Sequence, residues 1–211
     1  MVITLIGLSG CGKSHLARRL VAERGFSLRD CDALIEQRLS REIPGHSFSG
    51  LDSVASWMGQ PYDAEYLEKQ ETYLRFEREI TGEIISTLGD DGWGLTENIV
   101  IDTSGSVIYI GEPLMDALKK RSRLIYLKTP PSKIEFMYEQ YIKDPKPVIW
   151  KDIFSKREGE SNEDAMKRCY PDLLESRSQL YQKYADVTFV IDRKDRDKFS
   201  MQQLLKLAGA R

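Results

Sequence analysis

The chain begins with a short apolar run, Val2–Ile6, and residues 7–14 then follow the pattern G-x-x-x-x-G-K-S. Valine and isoleucine favour strands. Gly7 and Gly12 have no Cβ, so the backbone can turn sharply there and come close to an anion. The amides of such a loop point into one concavity, with the positive end of the next helix dipole behind it. The pattern therefore predicts a strand, a phosphate-binding loop (P-loop) and a helix, in that order. The predicted nucleotide-binding residues are Gly7, Leu8, Ser9, Gly10, Cys11, Gly12, Lys13, Ser14 and His15.

Two side chains of this loop have the chemistry of phosphoryl transfer. Lys13 adds a mobile positive charge for the β- and γ-phosphates, and the Ser14 hydroxyl is placed to ligate Mg²⁺. We therefore expect ATP as co-substrate and Mg²⁺ as cofactor. The alternative is an ordinary glycine-rich turn, but the strand before it and the helix after it favour nucleotide binding.

The composition is that of a globular protein, with 211 residues, 41% hydrophobic and 30% charged. A formal net charge of −2 gives no reason to expect nucleic acid as a partner. The basic residues within 119–123 are typical of a solvated helix end. No apolar run reaches the length of a membrane span, no signal-peptide pattern is present, and the three cysteines lack metal-ligand spacing. We expect a cytoplasmic monomer with free thiols and no membrane partner.

Hydrophobic periodicity predicts five short strands that alternate with helices, which indicates a parallel sheet with helices on both faces. We therefore expect a three-layer α/β fold in a single domain over residues 1–211. Residues 42–61 are rich in turn chemistry and read as an insertion near the acceptor site, with one short helical turn at 54–58. Residues 143–160 have weak periodicity and read as a lid. The predicted strands are 2–6, 26–28, 98–102, 124–127 and 187–191. The longer predicted helices are 15–24, 33–39, 63–88, 113–120, 130–142, 161–184 and 200–208, and the stretch 161–184 is either one helix or two that are split at Pro171.

Acidic residues follow the second and third predicted strands. In open α/β sheets, ligands bind beyond the carboxyl ends of the strands. One carboxylate of the pair Asp30 and Asp32 can hold water ligands of Mg²⁺, and the other can orient or deprotonate an acceptor hydroxyl. The alternative for this pair is a turn in which Asp32 caps the next helix. Asp102 is Walker-B-like: it can ligate Mg²⁺, position the acceptor, or simply end the strand.

Three stretches of the chain resemble the shikimate kinase family of P-loop small-molecule kinases. They are GLSGCGKS, the Asp30-Cys31-Asp32 pair with the helix that follows it, and LESRSQLYQKYADVTFVID at 174–192. The resemblance spans the chain from end to end. The P-loop is shared with many kinases, whereas the spacing of Arg177, Tyr181 and Ala185-Asp186 is the most family-specific part.

The resemblance implies a three-layer P-loop kinase fold and a role for each matching residue. Lys13 would stabilise the transferred γ-phosphoryl group, and Ser14 would ligate Mg²⁺. Asp30 would support the metal through water. Asp32 would hold the acceptor hydroxyl and act as candidate base.

For the acceptor, the resemblance implies that Arg177 grips a carboxylate, since its fork pairs bidentately with a planar anion. Without the resemblance, Arg177 would read as a surface arginine on a helix. Gly105 corresponds to the last residue of a Gly-Gly-Gly run that lets substrate approach the backbone. Lys146 corresponds to a lid arginine.

The acceptor half departs from the family pattern. The element that supplies a second substrate arginine aligns with residues 67–71, which contain no arginine, and Arg75 and Arg78 lie one and two turns later. The glycine run appears as Thr103-Ser104-Gly105, and the lid Arg-Pro appears as Lys146-Pro147. The residues that would bind ATP therefore match the family pattern, whereas those that would bind the acceptor depart from it.

These patterns predict a kinase that transfers the γ-phosphoryl group of ATP to a hydroxyl of a small, anionic acceptor. Shikimate is the leading named acceptor. The alternatives are a kinase for a nucleoside, nucleotide or sugar, and a regulatory nucleotide-binding module without catalysis.

Overall fold

Five parallel strands form one sheet in the order β2-β3-β1-β4-β5 in the computed structural model, which describes residues 1–89, 97–190 and 199–209. The predicted parallel sheet is confirmed, and residue 191, expected to end the last strand, lies outside the described residues. The strands are β1 (Val2–Ile6), β2 (Ser27–Asp30), β3 (Ile99–Asp102), β4 (Arg123–Lys128) and β5 (Val187–Val190).

Helices cover both faces of the sheet, because alternate residues of each strand point to opposite sides. On one face Ile6, Ile101 and Tyr126 belong to a large core beneath α2, α4, α5 and α7. On the other face Leu5 and Val100 belong to a smaller core beneath α1 and α8. The described helices are α1 (Lys13–Arg24), α2 (Cys31–Glu42), α3 (Leu51–Met58), α4 (Tyr66–Ser86), α5 (Glu112–Arg121), α6 (Ile134–Lys143), α7 (Asn162–Tyr184) and α8 (Met201–Leu207), with 3₁₀ turns at Val107–Tyr109 and Pro131–Lys133.

The start of α2 corrects one prediction. Asp30, not Asp32, is the N-cap: its side chain accepts a hydrogen bond from Ala33 N at 3.0 Å. Asp30 ends β2 with an extended backbone, which is the conformation an N-cap residue needs. Asp32 lies in the first turn of α2 and keeps its carboxylate for other partners.

The turn-rich segment 42–61 is packed against the rest of the protein. It contains the eight-residue helix α3, longer than the single turn predicted at 54–58. Val54 and Met58 are each 1% exposed, and α3 contacts α2 and α4. Burial of these side chains therefore fixes a segment whose sequence shows little periodicity.

Helix α7 runs unbroken through Pro171, where the sequence allowed for two helices. Proline removes one helical hydrogen bond, but Tyr170, Leu173 and Leu174 beside it are buried and hold the helix on the sheet. The predicted start is confirmed, since Ser161 caps the helix by accepting from Asp164 N. The continuous helix carries Arg177 into the interior.

Candidate active site

The loop between β1 and α1 has the backbone of an anion-binding turn. Gly7 and Gly12 have φ values of 148° and 108°, in the region that side chains rarely adopt. A Cβ on Gly7 would also lie 2.8 Å from the carbonyl oxygen of Leu127. The glycines are therefore required by the geometry of the loop.

Lys13 is held over this loop at the start of α1. Its Nζ donates hydrogen bonds to the carbonyl oxygens of Gly7 and Leu8 at 2.9 and 3.0 Å, and the residue is only 6% exposed. An ammonium group has three N–H donors. One donor therefore remains for a phosphate oxygen.

Asp102 is the acidic residue that stands next to the P-loop strand. β3 lies between β2 and β1, so the acidic residues of β2 do not directly neighbour the P-loop strand. Asp102 pairs in register with Leu5 on one side and Asp30 on the other. Burial raises the pKa of Asp102, whereas the Lys13 ammonium and the Ser14 hydroxyl lower it. Its Oδ1 atom is buried and has no hydrogen-bond partner among the described residues.

Asp32 lies in the wall of a cavity above the P-loop. Loss of hydration raises the pKa of this carboxyl from 3.8 to about 6, the nearby Lys13 ammonium opposes that rise, and Asp102 and Asp30 add to it. Asp32 is therefore ionised above pH 6 and can then accept a proton or a hydroxyl hydrogen bond.

The cavity has a volume of about 790 Å³ and a mixed lining. Its lining includes residues 9–15 of the P-loop together with Asp32 and Leu51. Side chains of α6 and of residues 144–148 complete much of the rest of it. Of the predicted nucleotide-binding residues, only Gly7 and Leu8 are outside this lining. A volume of this order suits a small-molecule or cofactor site.

Arg177 is buried, with 3% exposure, so the interpretation as a surface arginine is wrong. Its Nη1 donates to the carbonyl oxygen of Gly105 at 3.3 Å and its Nη2 to that of Ile149 at 2.6 Å. Its Nε is buried and unpartnered within the described part of the chain. Gly105 and Arg177 are thus in contact, but neither lines the cavity beside Asp32. Arg177 could pair with a carboxylate through Nε. It could also do so through a terminal nitrogen, if that nitrogen gave up its hydrogen bond to a carbonyl oxygen.

The two arginines one and two turns beyond residues 67–71 do not reach this region. Arg75 is exposed and pairs with Glu79 at 3.3 Å, and Arg78 is partly buried and pairs with Glu71 at 3.9 Å. Leu67, in the stretch that lacks the arginine, is 64% exposed. No arginine of α4 therefore replaces the missing one.

Lys146 lines the cavity where the lid was expected. Its Nζ pairs with Asp52 at 2.7 Å and with Asp144 at 3.0 Å. Asp52 belongs to α3, so residues 42–61 and residues 143–160 meet at this ion pair. The later part of the segment is anchored by Arg168, which pairs with Glu160 at 2.8 Å.

Glu77 is a buried acid that belongs to none of the sequence motifs. It is 1% exposed, and the hydroxyls of Ser104 and Ser106 donate to its two oxygens, the latter at 2.8 Å. Burial raises its pKa from 4.5 to about 7, although both serine hydrogen bonds lower it. The signal was present in the sequence, since Glu77 is three residues from both Leu74 and Ile80 on the apolar side of α4.

The chain is similar in sequence and in fold to shikimate kinases, and no family model matches it. A shikimate kinase of Haemophilus influenzae is 25% identical over 205 residues, which cover 97% of this chain and 91% of that protein. One of Legionella pneumophila is 29% identical over 192 residues, which cover 90% and 85%. The solved shikimate kinase of Acinetobacter baumannii, in complex with shikimate, has a TM-score of 0.62 and 21% identity over 98% of this chain and 91% of that one.

The sheet order and the P-loop, together with these relatives, define an ATP-dependent small-molecule kinase, a phosphotransferase that acts on a hydroxyl group. Within that class, the proteins that the chain resembles in sequence over 90% or more of its length are shikimate kinases. Among the residues that the structure describes, no helix is both long and apolar enough to cross a membrane.

Proposed function

We propose that this protein transfers the γ-phosphoryl group of MgATP to a hydroxyl of a small hydroxylated acid, with shikimate as the first compound to test. The observation that carries this proposal is that the P-loop, Lys13 and Asp32 line one cavity. Donor phosphate and acceptor hydroxyl can therefore meet there.

Catalysis consists mainly of positioning and electrostatic stabilisation. The loop amides and the free N–H of Lys13 bind the phosphates and stabilise the charge that develops on the transferred group. Asp32 accepts a hydrogen bond from the acceptor hydroxyl, orients its oxygen towards phosphorus and takes the proton as the new bond forms.

The residues beside the P-loop fit a magnesium ion. The unpartnered Oδ1 of Asp102 and the nearby Ser14 hydroxyl are oxygen ligands of the kind that Mg²⁺ prefers. Asp30 lies at the same register position and would hold a metal-bound water. When bound, Mg²⁺ neutralises phosphate charge. Within residues 1–89, 97–190 and 199–209, no three His, Cys, Asp or Glu side chains form a metal cluster, so Ser14, waters and phosphate oxygens would complete the shell.

Arg177 would bind the carboxylate of the acceptor through Nε, which has no partner among the described residues. Because Arg177 does not line the cavity in this structure, this role requires its side chain to move away from the carbonyl oxygens of Gly105 and Ile149. The free cysteines Cys11, Cys31 and Cys169 support a reducing compartment, and we include the cytoplasm and a monomeric state in the proposal.

A kinase for a sugar or nucleoside is the second candidate. Both terminal nitrogens of Arg177 already donate to carbonyl oxygens. An uncharged acceptor has no carboxylate for Arg177 to bind, so these hydrogen bonds could stay in place, and this favours the second candidate.

The test is an assay of ADP and phosphorylated product with ATP and a panel of hydroxy acids, sugars and nucleosides. We expect turnover with a hydroxy acid and its loss in Asp32→Asn. Turnover with only sugars or nucleosides would establish the second candidate. Tight ATP binding without acceleration by any acceptor would overturn both in favour of a nucleotide-binding module.

A further inference from the structure

Residues 148–151, which we name the strap, form an irregular segment that is fixed by a buried indole. Trp150 is 0% exposed, and its ring centroid lies 6.3, 5.9 and 6.0 Å from those of Tyr141, Phe154 and Tyr170. Val148, at the start of the strap, lines the cavity above the P-loop together with Tyr141 and Tyr170. The strap therefore forms part of the cavity wall.

Tyr66 and Gln70 of α4 hold the backbone of the strap. The Tyr66 hydroxyl donates to the Val148 carbonyl oxygen at 2.7 Å and accepts from Trp150 N at 2.8 Å. The Gln70 Oε1 atom accepts from Lys151 N at 2.9 Å and lies 3.0 Å from the Tyr66 hydroxyl. Tyr66 and Gln70 are 1% and 3% exposed, so water cannot easily replace these bonds.

Lys151 has a strained backbone at the end of the strap. Its φ is 51°, and among the described residues it alone has a positive φ without being a glycine. Such a conformation persists only where the surroundings enforce it. Here the Lys151 amide donates to Gln70 Oε1, and Lys151 Nζ pairs with Glu71 Oε1 at 2.9 Å.

The strap is also joined to the acceptor side, since Arg177 Nη2 donates to the Ile149 carbonyl oxygen at 2.6 Å. Lys146, in the cavity wall, lies two residues before Val148. A shift of the strap would therefore move Arg177 and part of the cavity wall together.

We propose that Tyr66 and Gln70 are positioning residues that keep the strap closed, and thereby direct the γ-phosphoryl group to the acceptor instead of to water. This inference rests on the proposed kinase function. In the productive reaction the acceptor oxygen bonds to phosphorus, the bond to the β-phosphate oxygen of ADP breaks, and Asp32 takes the hydroxyl proton. In the competing reaction a water oxygen attacks, and the products are ADP and inorganic phosphate.

The experiment compares the full-length protein with Tyr66→Phe and Gln70→Met. ADP, phosphorylated acceptor and inorganic phosphate are measured together, so that the fraction of ATP lost to water is known. We expect each variant to raise that fraction. Gln70→Met loses one hydrogen bond to the strap and should raise the acceptor KM about three- to tenfold. Tyr66→Phe loses two and should raise it at least as far, while the KM for ATP changes less in both.

Two variants separate this role from a general effect on folding. Tyr126→Phe also removes a buried tyrosine hydroxyl, which contacts Ser178 at 2.9 Å instead of the strap, and it should keep the wild-type ratio of products. Gln70→Glu retains an oxygen acceptor and should restore the ratio that Gln70→Met loses. If Tyr66→Phe fails to fold, the Gln70 pair still decides.

The possible failures are distinguishable. A wild-type protein that phosphorylates no acceptor overturns the proposed function. If the wild-type protein phosphorylates an acceptor, and both Tyr66→Phe and Gln70→Met keep its product ratio and acceptor KM, the proposed role of the strap is overturned.

Discussion

Asp30 and Asp102 lie side by side at the carboxyl ends of β2 and β3, paired at the same position of the strand register. Their side chains are nevertheless used differently. One Asp30 oxygen caps α2, whereas the Oδ1 atom of Asp102 is buried without a partner among the described residues. Of the two, Asp102 also neighbours the P-loop strand. If the proposed MgATP binds here, we predict that Asp102 takes a larger part than Asp30 in holding the metal.

Asp102→Asn should weaken magnesium binding by roughly 10- to 100-fold, the effect usual for residues that support a metal shell. The amide keeps the shape of the side chain but removes its negative charge. The measurement is the magnesium dependence of ATP turnover. Asp30→Asn is the matched control, because asparagine also caps helices well and a smaller shift is expected. An unchanged magnesium dependence in Asp102→Asn would contradict this assignment.

Lys13→Ala should reduce phosphoryl transfer by about 10²- to 10³-fold, the range for losing one preorganised donor to developing charge. The variant also removes two hydrogen bonds that brace the loop carbonyls, so weaker ATP binding should accompany the loss of rate. Lys119→Ala removes a half-exposed charge from the end of α5 and should leave the kinetics unchanged. Full activity in Lys13→Ala would exclude the kinase reaction at this loop.

The local pattern was sufficient to predict the strands, the P-loop and the helix that carries Arg177, because strand and turn propensities agree there with the tertiary structure. It could not predict which of Asp30 and Asp32 caps α2, since this depends on where β2 ends. Nor could it predict the strap: its segment has weak periodicity, and its backbone is held at Trp150 N by Tyr66, which is far away in the chain. The burial of Glu77 was accessible from its spacing, but its serine partners come from the loop after β3.

Glu77→Gln should stabilise the protein more at pH 8 than at pH 4.5. The folded carboxyl has a pKa of about 7, above its ordinary 4.5. Between these values the unfolded chain releases the proton and the folded chain keeps it, so wild-type stability falls as pH rises through this window. Glutamine does not ionise, so the variant does not lose stability as the pH rises through this window.

The free energy of unfolding of both proteins should be measured by urea denaturation at both pH values. We expect the difference between variant and wild type to shift by roughly 1–3 kcal/mol in favour of the variant. Groups that titrate equally in both proteins cancel in this comparison. A difference that does not change with pH would show that Glu77 is ionised normally.

Gly105→Ala should lower activity through a steric effect between two loops. A Cβ at this position would lie 3.1 Å from Ser9 N in the P-loop and 3.6 Å from Arg177 Nη1. One of the loops must therefore move by a few tenths of an ångström. Overpacking of this kind costs about 1–3 kcal/mol, so we expect about a tenfold fall in kcat/KM.

Gly82→Ala in α4 is the matched control: its Cβ would meet only Leu114 Cδ2, at 3.8 Å, and alanine should add about 0.5–1 kcal/mol of stability without changing the kinetics. Wild-type kinetics in both variants would mean that the approach of Gly105 to Ser9 has no part in catalysis.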